Sequence, residues 1–214
     1  MYLQIILQGI LIGVTIAAPV GPIGILCIRR TLAEGRLAGF ISGLGAATAD
    51  AMYGGIAAFG LTFISIFLIN QSFWLRLGGG SFLIYLGIKT FLSVPSKETG
   101  PYPKSSNDDN LLRNYGSTLF LTLTNPITII SFAAIFAGFG IVTNQSNDNL
   151  AASSMVLGIF LGSSIWWISL SVITGFFRRM VNHKTMIWIN RISGTIIVSF
   201  GLLALISILL INPS

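Results

Sequence analysis

Residues 1–28 contain no charged side chain. A run of that length leaves few folds open, because about 20 consecutive apolar residues cross the hydrocarbon core of a bilayer as a helix. Five further stretches are long and mostly apolar: residues 37–69, 73–94 (with Arg76 near its start and Lys89 near its end), 115–142, 150–177 and 186–211. With 5–28 they make six candidate spans. Only 8% of the 214 residues are charged, against about 25% in a soluble domain, so the chain cannot cover a water-facing surface. Residues 1–18 lack a basic n-region and their apolar run continues beyond a signal's core, so they read as a retained first span. The second stretch is longer than a span needs and implies tilt or extension beyond the bilayer. The expected fold is an all-α integral membrane protein of six transmembrane helices.

The net charge of +6 does not point to nucleic acid, because the basic residues lie between spans. Arg29, Arg30, Arg36, Lys89, Lys97, Lys104, Arg113, Arg178, Arg179, Lys184 and Arg191 follow spans one, three and five. Only Arg76 falls on the other side. Lys and Arg are enriched in cytoplasmic loops. The expected topology therefore has those three loops in the cytoplasm and both termini outside.

The chain also repeats. Gly21-Pro22-Ile23 interrupts span one, and Asn125-Pro126-Ile127 interrupts span four at a similar place. Gly43 and Ala47 in span two correspond to Gly158 and Gly162 in span five. Gly80 and Gly87 correspond to Gly194 and Gly201 at a constant offset of 114. Three spans per copy invert the second copy, an architecture recurrent in secondary transporters. The expected organisation is a three-helix repeat over 1–94, a cytoplasmic linker over 95–114 and a second repeat over 115–214.

Asp50 is the sole acidic residue inside an apolar span. A carboxylate at that depth costs at least ~2.5–3.5 kcal/mol and marks a functional position by default. Gly39, Gly43, Ala46, Ala47, Gly54 and Ala57 share its side of a helix. Small residues let a neighbouring backbone approach, so this side is expected to face protein, with Gly158 and Gly162 packing likewise in span five. Its bland alternative is an Asp that glues two helices or reaches water near a helix end.

Pro19 and Pro22 each lack an N–H and clash with the preceding turn. Lipid cannot satisfy the freed carbonyls, so such a break belongs in a packed or water-filled interior. Broken helices offer carbonyls to a cation and N–H groups to a carboxylate. Thr124, Asn125 and Pro126 repeat the device, with Thr128 beside them. Asp50, Pro19, Gly21, Pro22, Thr124, Asn125, Pro126 and Thr128 are thus the candidate substrate- or proton-binding residues. Together they suit a small zwitterion, whose amino group or a proton would sit on Asp50.

Other chemistry has little support. Trp166-Trp167 offers a gate for a cavity, but the expectation is an interfacial or lipid-facing pair, with His183 solvated. Cys27 reads as a small apolar core residue. No His/Cys/Asp/Glu cluster has metal-ligand spacing, no phosphate-binding loop occurs, and no Ser/His/Asp set lies within the spans. Neither a cofactor, a resident metal nor an enzymatic activity is expected.

Ala18-Pro-Val-Gly-Pro22, the glycine-rich run ending in Ala49-Asp50, Tyr85-Leu-Gly87-Ile-Lys89 and Leu123-Thr-Asn-Pro126 together resemble motifs of the LysE/RhtB amino-acid exporters. The resemblance covers nearly the whole chain. It implies a cytoplasmic-membrane exporter of amino acids or related small solutes, driven by the proton-motive force and often oligomeric. Many members carry Lys-Ala or His after the Asn-Pro, whereas Ile127-Thr128 follow here, leaving basic, neutral and unrelated solutes open. Two alternatives stand beside it: a divalent-metal or other ion exporter on a related fold, and a non-transporting membrane scaffold in which Asp50 can be neutralised without consequence.

Overall fold

A computed structural model describes residues 2–19, 21–59, 71–93, 108–125, 128–129, 131–132 and 149–211. Seven α-helices have defined bounds: α1 (Tyr2–Ala17), α2 (Pro22–Glu34), α3 (Arg36–Ala58), α4 (Ser72–Phe91), α5 (Asp108–Leu123), α6 (Asn149–Phe177) and α7 (His183–Ile211). A 3-10 turn, Arg178–Met180, follows α6. No strand occurs among the described residues.

The first apolar run is not one straight helix. α1 and α2 meet at 84°, because Pro19 and Pro22 interrupt the hydrogen-bond ladder and Pro22 starts the new helix where its missing N–H costs nothing. α2 stops at Gly35, whose φ of +110° suits glycine, and the Gly35 N–H donates to the Thr31 carbonyl at 3.1 Å. Two helices, Asn149–Met180 and His183–Ile208, are by themselves long and apolar enough to span a membrane, and the bent α1–α2 pair makes a third. The other helices read less apolar for local reasons. α3 is built from Gly and Ala, α4 carries Arg76 and Lys89, and α5 begins with Asp108-Asp109. α5 thus starts inside the stretch expected to be a linker. Residues 60–70 and 133–148, where spans two and four were expected to continue, lie outside the described residues.

α1 lies along α6, α4 lies along α7, and α3 sits between α5 and α6. Glycine makes these contacts close. A Cβ on Gly9 would stand 2.6 Å from the Met155 carbonyl oxygen and 2.9 Å from the Gly158 Cα. Between α4 and α7 the glycines face each other in two reciprocal pairs. A Cβ on Gly80 would meet the Gly201 carbonyl oxygen at 3.1 Å, and one on Gly201 the Gly80 oxygen at 2.8 Å. Gly87 and Gly194 repeat this at 2.9 and 2.7 Å. The outward faces are apolar instead: Leu3, Leu7 and Leu11 of α1 and Ile165, Ile168 and Val172 of α6 are exposed. That surface suits lipid as its solvent.

Two arginines at the end of α2 tie the other helices together. Arg30 is buried, and its Nη1 donates to Ser42 Oγ on α3 and to the Asn114 carbonyl and Thr118 Oγ1 on α5, each at 2.9 Å. Its Nη2 donates to Ser117 Oγ at 2.8 Å. Arg29 reaches the other way, its Nε donating to Asn190 Oδ1 on α7 at 3.0 Å. These side chains carry a packing role beyond the topological one read from charge. Cys27 is buried in a cluster with Ala17, Ala46, Ala47 and Trp167, as expected of a small core residue.

Candidate functional site

Asp50 lies on α3 and is 3% exposed. Gly39, Gly43, Ala46, Ala47 and Gly54, on its side of the helix, are buried as well, and Ala57 is partly buried. Their small size lets α6 close in. A Cβ on Gly43 would stand 2.5 Å from the Trp167 Cγ, and one on Gly54 2.6 Å from the Ile159 Cδ1. From α6, Ser163 Oγ donates to Asp50 Oδ2 at 2.7 Å, and Trp167 Nε1 donates to Ser163 Oγ at 3.2 Å. An indole N–H can only donate, so the direction of the chain is set from its far end. Trp167 gives its proton to Ser163, which turns its own toward Asp50. This polarity suits a carboxylate acceptor. No cation pairs with Asp50 among the described residues.

Trp167 corrects an expectation. It is 4% exposed, neither interfacial nor lipid-facing. The small residues of α3 leave a groove that the indole fills, and Ser163 satisfies its N–H.

A second feature lies where the helices break. A cavity of about 260 Å³ is lined by Pro22 and Ile23 of α2, by Thr124 and Asn125 beyond α5, and by residues of α4 and α7. Three of the expected site residues, Pro22, Thr124 and Asn125, thus meet in one space. Asp50 is not among its lining residues. Pro19 is exposed and Gly21 half-buried, with nothing among the described residues within 4 Å of a Cβ added at Gly21. Thr128 is buried, and its N–H donates to the Asn125 carbonyl at 3.1 Å. Pro126 lies outside the described residues.

Tyr53, one turn beyond Asp50, connects the two features. Its hydroxyl donates to the Leu123 carbonyl at 2.5 Å, at the end of α5 and next to cavity-lining Thr124. Arg76 of α4 also lines the cavity, and its Nη1 donates to Ser207 Oγ on α7 at 2.8 Å.

A family model for LysE type translocators matches residues 14–208. The chain belongs to that family. As a LysE type translocator it is a membrane transport protein. The "Putative amino acid efflux protein YcgF" of Bacillus subtilis (strain 168) is 29% identical over 203 residues, covering 93% of this chain and 94% of the relative. "Uncharacterized membrane protein YahN" of Escherichia coli (strain K12) is 31% identical over 146 residues, covering 67% of this chain and 63% of the relative. "Uncharacterized membrane protein YrhP" of Bacillus subtilis (strain 168) is 26% identical over 187 residues, covering 83% and 87%. No solved structure matches the translocator.

Ser163, Trp167, Tyr53 and Arg76 were not named as site residues from the sequence. Two signals were available. Ser163 follows Gly162 on the small-residue stripe of span five, and Arg76 stood alone on its side of the expected topology.

Proposed function

We propose that this translocator exports amino acids or similar small zwitterionic solutes across the cytoplasmic membrane, coupled to the proton-motive force. Asp50 takes up and releases the coupling proton or holds the solute's ammonium group, and the breaks at Pro19–Pro22 and Thr124–Thr128 line the midplane passage. The observation that carries this reading is the Asp50–Ser163 hydrogen bond. It buries a carboxylate without a cation partner among the described residues, and it joins an α3 residue to an α6 residue. Protonation changes what Asp50 can accept or donate, and therefore how strongly those two helices hold each other. The efflux relative, similar over nearly its full length, supports the direction of transport.

The same reading takes the chain as six spans in two inverted three-helix repeats, both termini outside. The reciprocal glycine pairs of α4 and α7 support it. Gly194 is 114 positions after Gly80, and Gly201 is 114 after Gly87. Exchanging the halves by that offset turns the Gly80–Gly201 pair into the Gly194–Gly87 pair, as a pseudo-two-fold contact requires. The helix pairings agree: exchanging α1 with α5, α3 with α6 and α4 with α7 maps the α1–α6 pairing onto the α5–α3 pairing.

The test is flux from proteoliposomes loaded with a panel of amino acids under an imposed pH gradient. Wild type should export a few of them in a gradient-dependent way. Asp50→Asn, which keeps an acceptor oxygen for Ser163, should fold and insert but fall to background flux. Normal export by that variant would remove Asp50 from the mechanism.

A further inference from the structure

We propose that Arg76 binds the carboxylate of the transported solute within the cavity at the helix breaks. The inference rests on the exporter reading and deepens it by naming the solute's anionic handle. Arg76 is the one basic residue that the charge pattern sets apart from the other eleven. It lies on α4, one turn before Gly79 and Gly80, which also line the cavity. Among the described residues no acidic side chain lines the cavity.

The guanidinium's hydrogen bonds are incomplete. Nη1 is taken by Ser207, but Nε is buried with no partner among the described residues. A buried donor left unpaired is costly, and one that persists in a native structure calls for an absent partner. Nε and Nη2 form one edge of the guanidinium, and a turn of the side chain toward the cavity would present two parallel donors spaced for the two oxygens of a carboxylate. The surroundings favour the same ligand. Pro22 opens α2 at the cavity, with Gly21 before it offering no side-chain cap, so the positive end of a 13-residue helix adds to the anion's stabilisation. Thr124 and Asn125 follow the last turn of α5, the negative end of a helix, which favours an ammonium group. A cavity lined by an arginine, a helix start and a helix end offers groups for both the carboxylate and the ammonium of an α-amino acid.

The experiment measures binding and flux on the same full-length protein. Binding of the common L-amino acids, their amides and the corresponding decarboxylated amines is titrated in nanodiscs of neutral phosphatidylcholine, and flux is read in proteoliposomes. Wild type should bind amino acids well above their amides and amines. Arg76→Gln should raise the Kd for amino acids by about 10- to 100-fold and leave the weak amide and amine binding unchanged. Arg76→Lys should restore part of the preference. Ser207→Ala, which frees Nη1 without removing the charge, should keep the preference and serves as the packing control. Unchanged Kd in a folded Arg76→Gln, with wild-type flux intact, would overturn the carboxylate site and leave the exporter standing. Carboxylate binding that depends on Arg76 with no flux of any amino acid would sink the exporter reading and keep the site. Phosphatidylglycerol retained by wild type, lost from Arg76→Gln and not displaced by amino acids would assign the arginine to a lipid phosphate and overturn the proposal.

Discussion

Removing one oxygen from Tyr53 tests whether the break after α5 is sealed from water. The last carbonyls of a helix have no partner within it, and the Leu123 carbonyl instead receives the Tyr53 hydroxyl at 2.5 Å. Tyr53 is 4% exposed. Tyr53→Phe keeps the ring, including its contact with Phe132 at 5.7 Å between centroids, and strands one acceptor. An orphaned buried acceptor costs about 1–3 kcal/mol. Side-chain hydrogen bonds between membrane helices average only about 0.6 kcal/mol, because the unfolded chain finds other partners. The short distance, the burial and the position at a helix end argue for the larger figure, so a loss of about 1–2 kcal/mol is expected. That lowers the folded-to-unfolded ratio by roughly 5- to 30-fold. The assay is reversible unfolding in mixed micelles, with Tyr115→Phe as the control. Tyr115 donates to Thr48 Oγ1 at 2.9 Å, but both residues are half-exposed, so its loss should stay near 0.6 kcal/mol, about the average for such bonds. Equal losses for the two variants would mean that water reaches the Leu123 carbonyl and that Tyr53 does not close the break.

Two packing predictions follow from the same unfolding assay. Gly9→Ala sets a methyl against the Met155 carbonyl oxygen and the Gly158 Cα, backbone atoms that cannot swing aside, so α1 and α6 must separate at a cost of about 1–3 kcal/mol. Gly21→Ala meets nothing within 4 Å at a φ of −100°, and should stay within about 0.5 kcal/mol; equal effects at both glycines would refute the close approach. Arg30→Lys keeps the charge but not the planar fork that reaches α3 and α5 together, and should cost about 1–3 kcal/mol. Unchanged stability there would mean that charge alone holds these helices together at Arg30.

What was legible in the sequence was local or periodic. Prolines 19 and 22 marked the break between α1 and α2, because a missing N–H acts on its own helix. The buried face of α3 followed from the spacing of Gly39, Gly43, Ala47, Asp50 and Gly54, because small residues and a carboxylate on one stripe cannot face lipid. The angle of 84° between α1 and α2 was not legible, because it depends on what the two helices pack against. Nor was the place of Trp167. An aromatic pair near the middle of a long apolar run reads the same whether it faces lipid or fills a groove. Only the register of α6 against the small side of α3 decides between them. Arg30 was hidden for a similar reason: as a charge it reads as topology, and its four acceptors come from residues 12 to 88 positions away.

The separation of Asp50 from the cavity bears on how a proton and a solute can be exchanged. Had both shared one space, each would compete directly with the other for the same atoms. Here Asp50 is held by Ser163 on α6, while the cavity lies among α2, α4, α7 and the end of α5. α3 carries Asp50 and, one turn on along the same side, Tyr53, whose hydroxyl holds the Leu123 carbonyl next to cavity-lining Thr124. A shift of α3 against α6, set by the protonation of Asp50, would pull on the Leu123 carbonyl and so on the cavity wall at Thr124. Coupling of this kind is reciprocal by thermodynamic necessity: solute bound against Thr124 and Asn125 must bias Asp50's hold on its proton as much as the proton biases the solute.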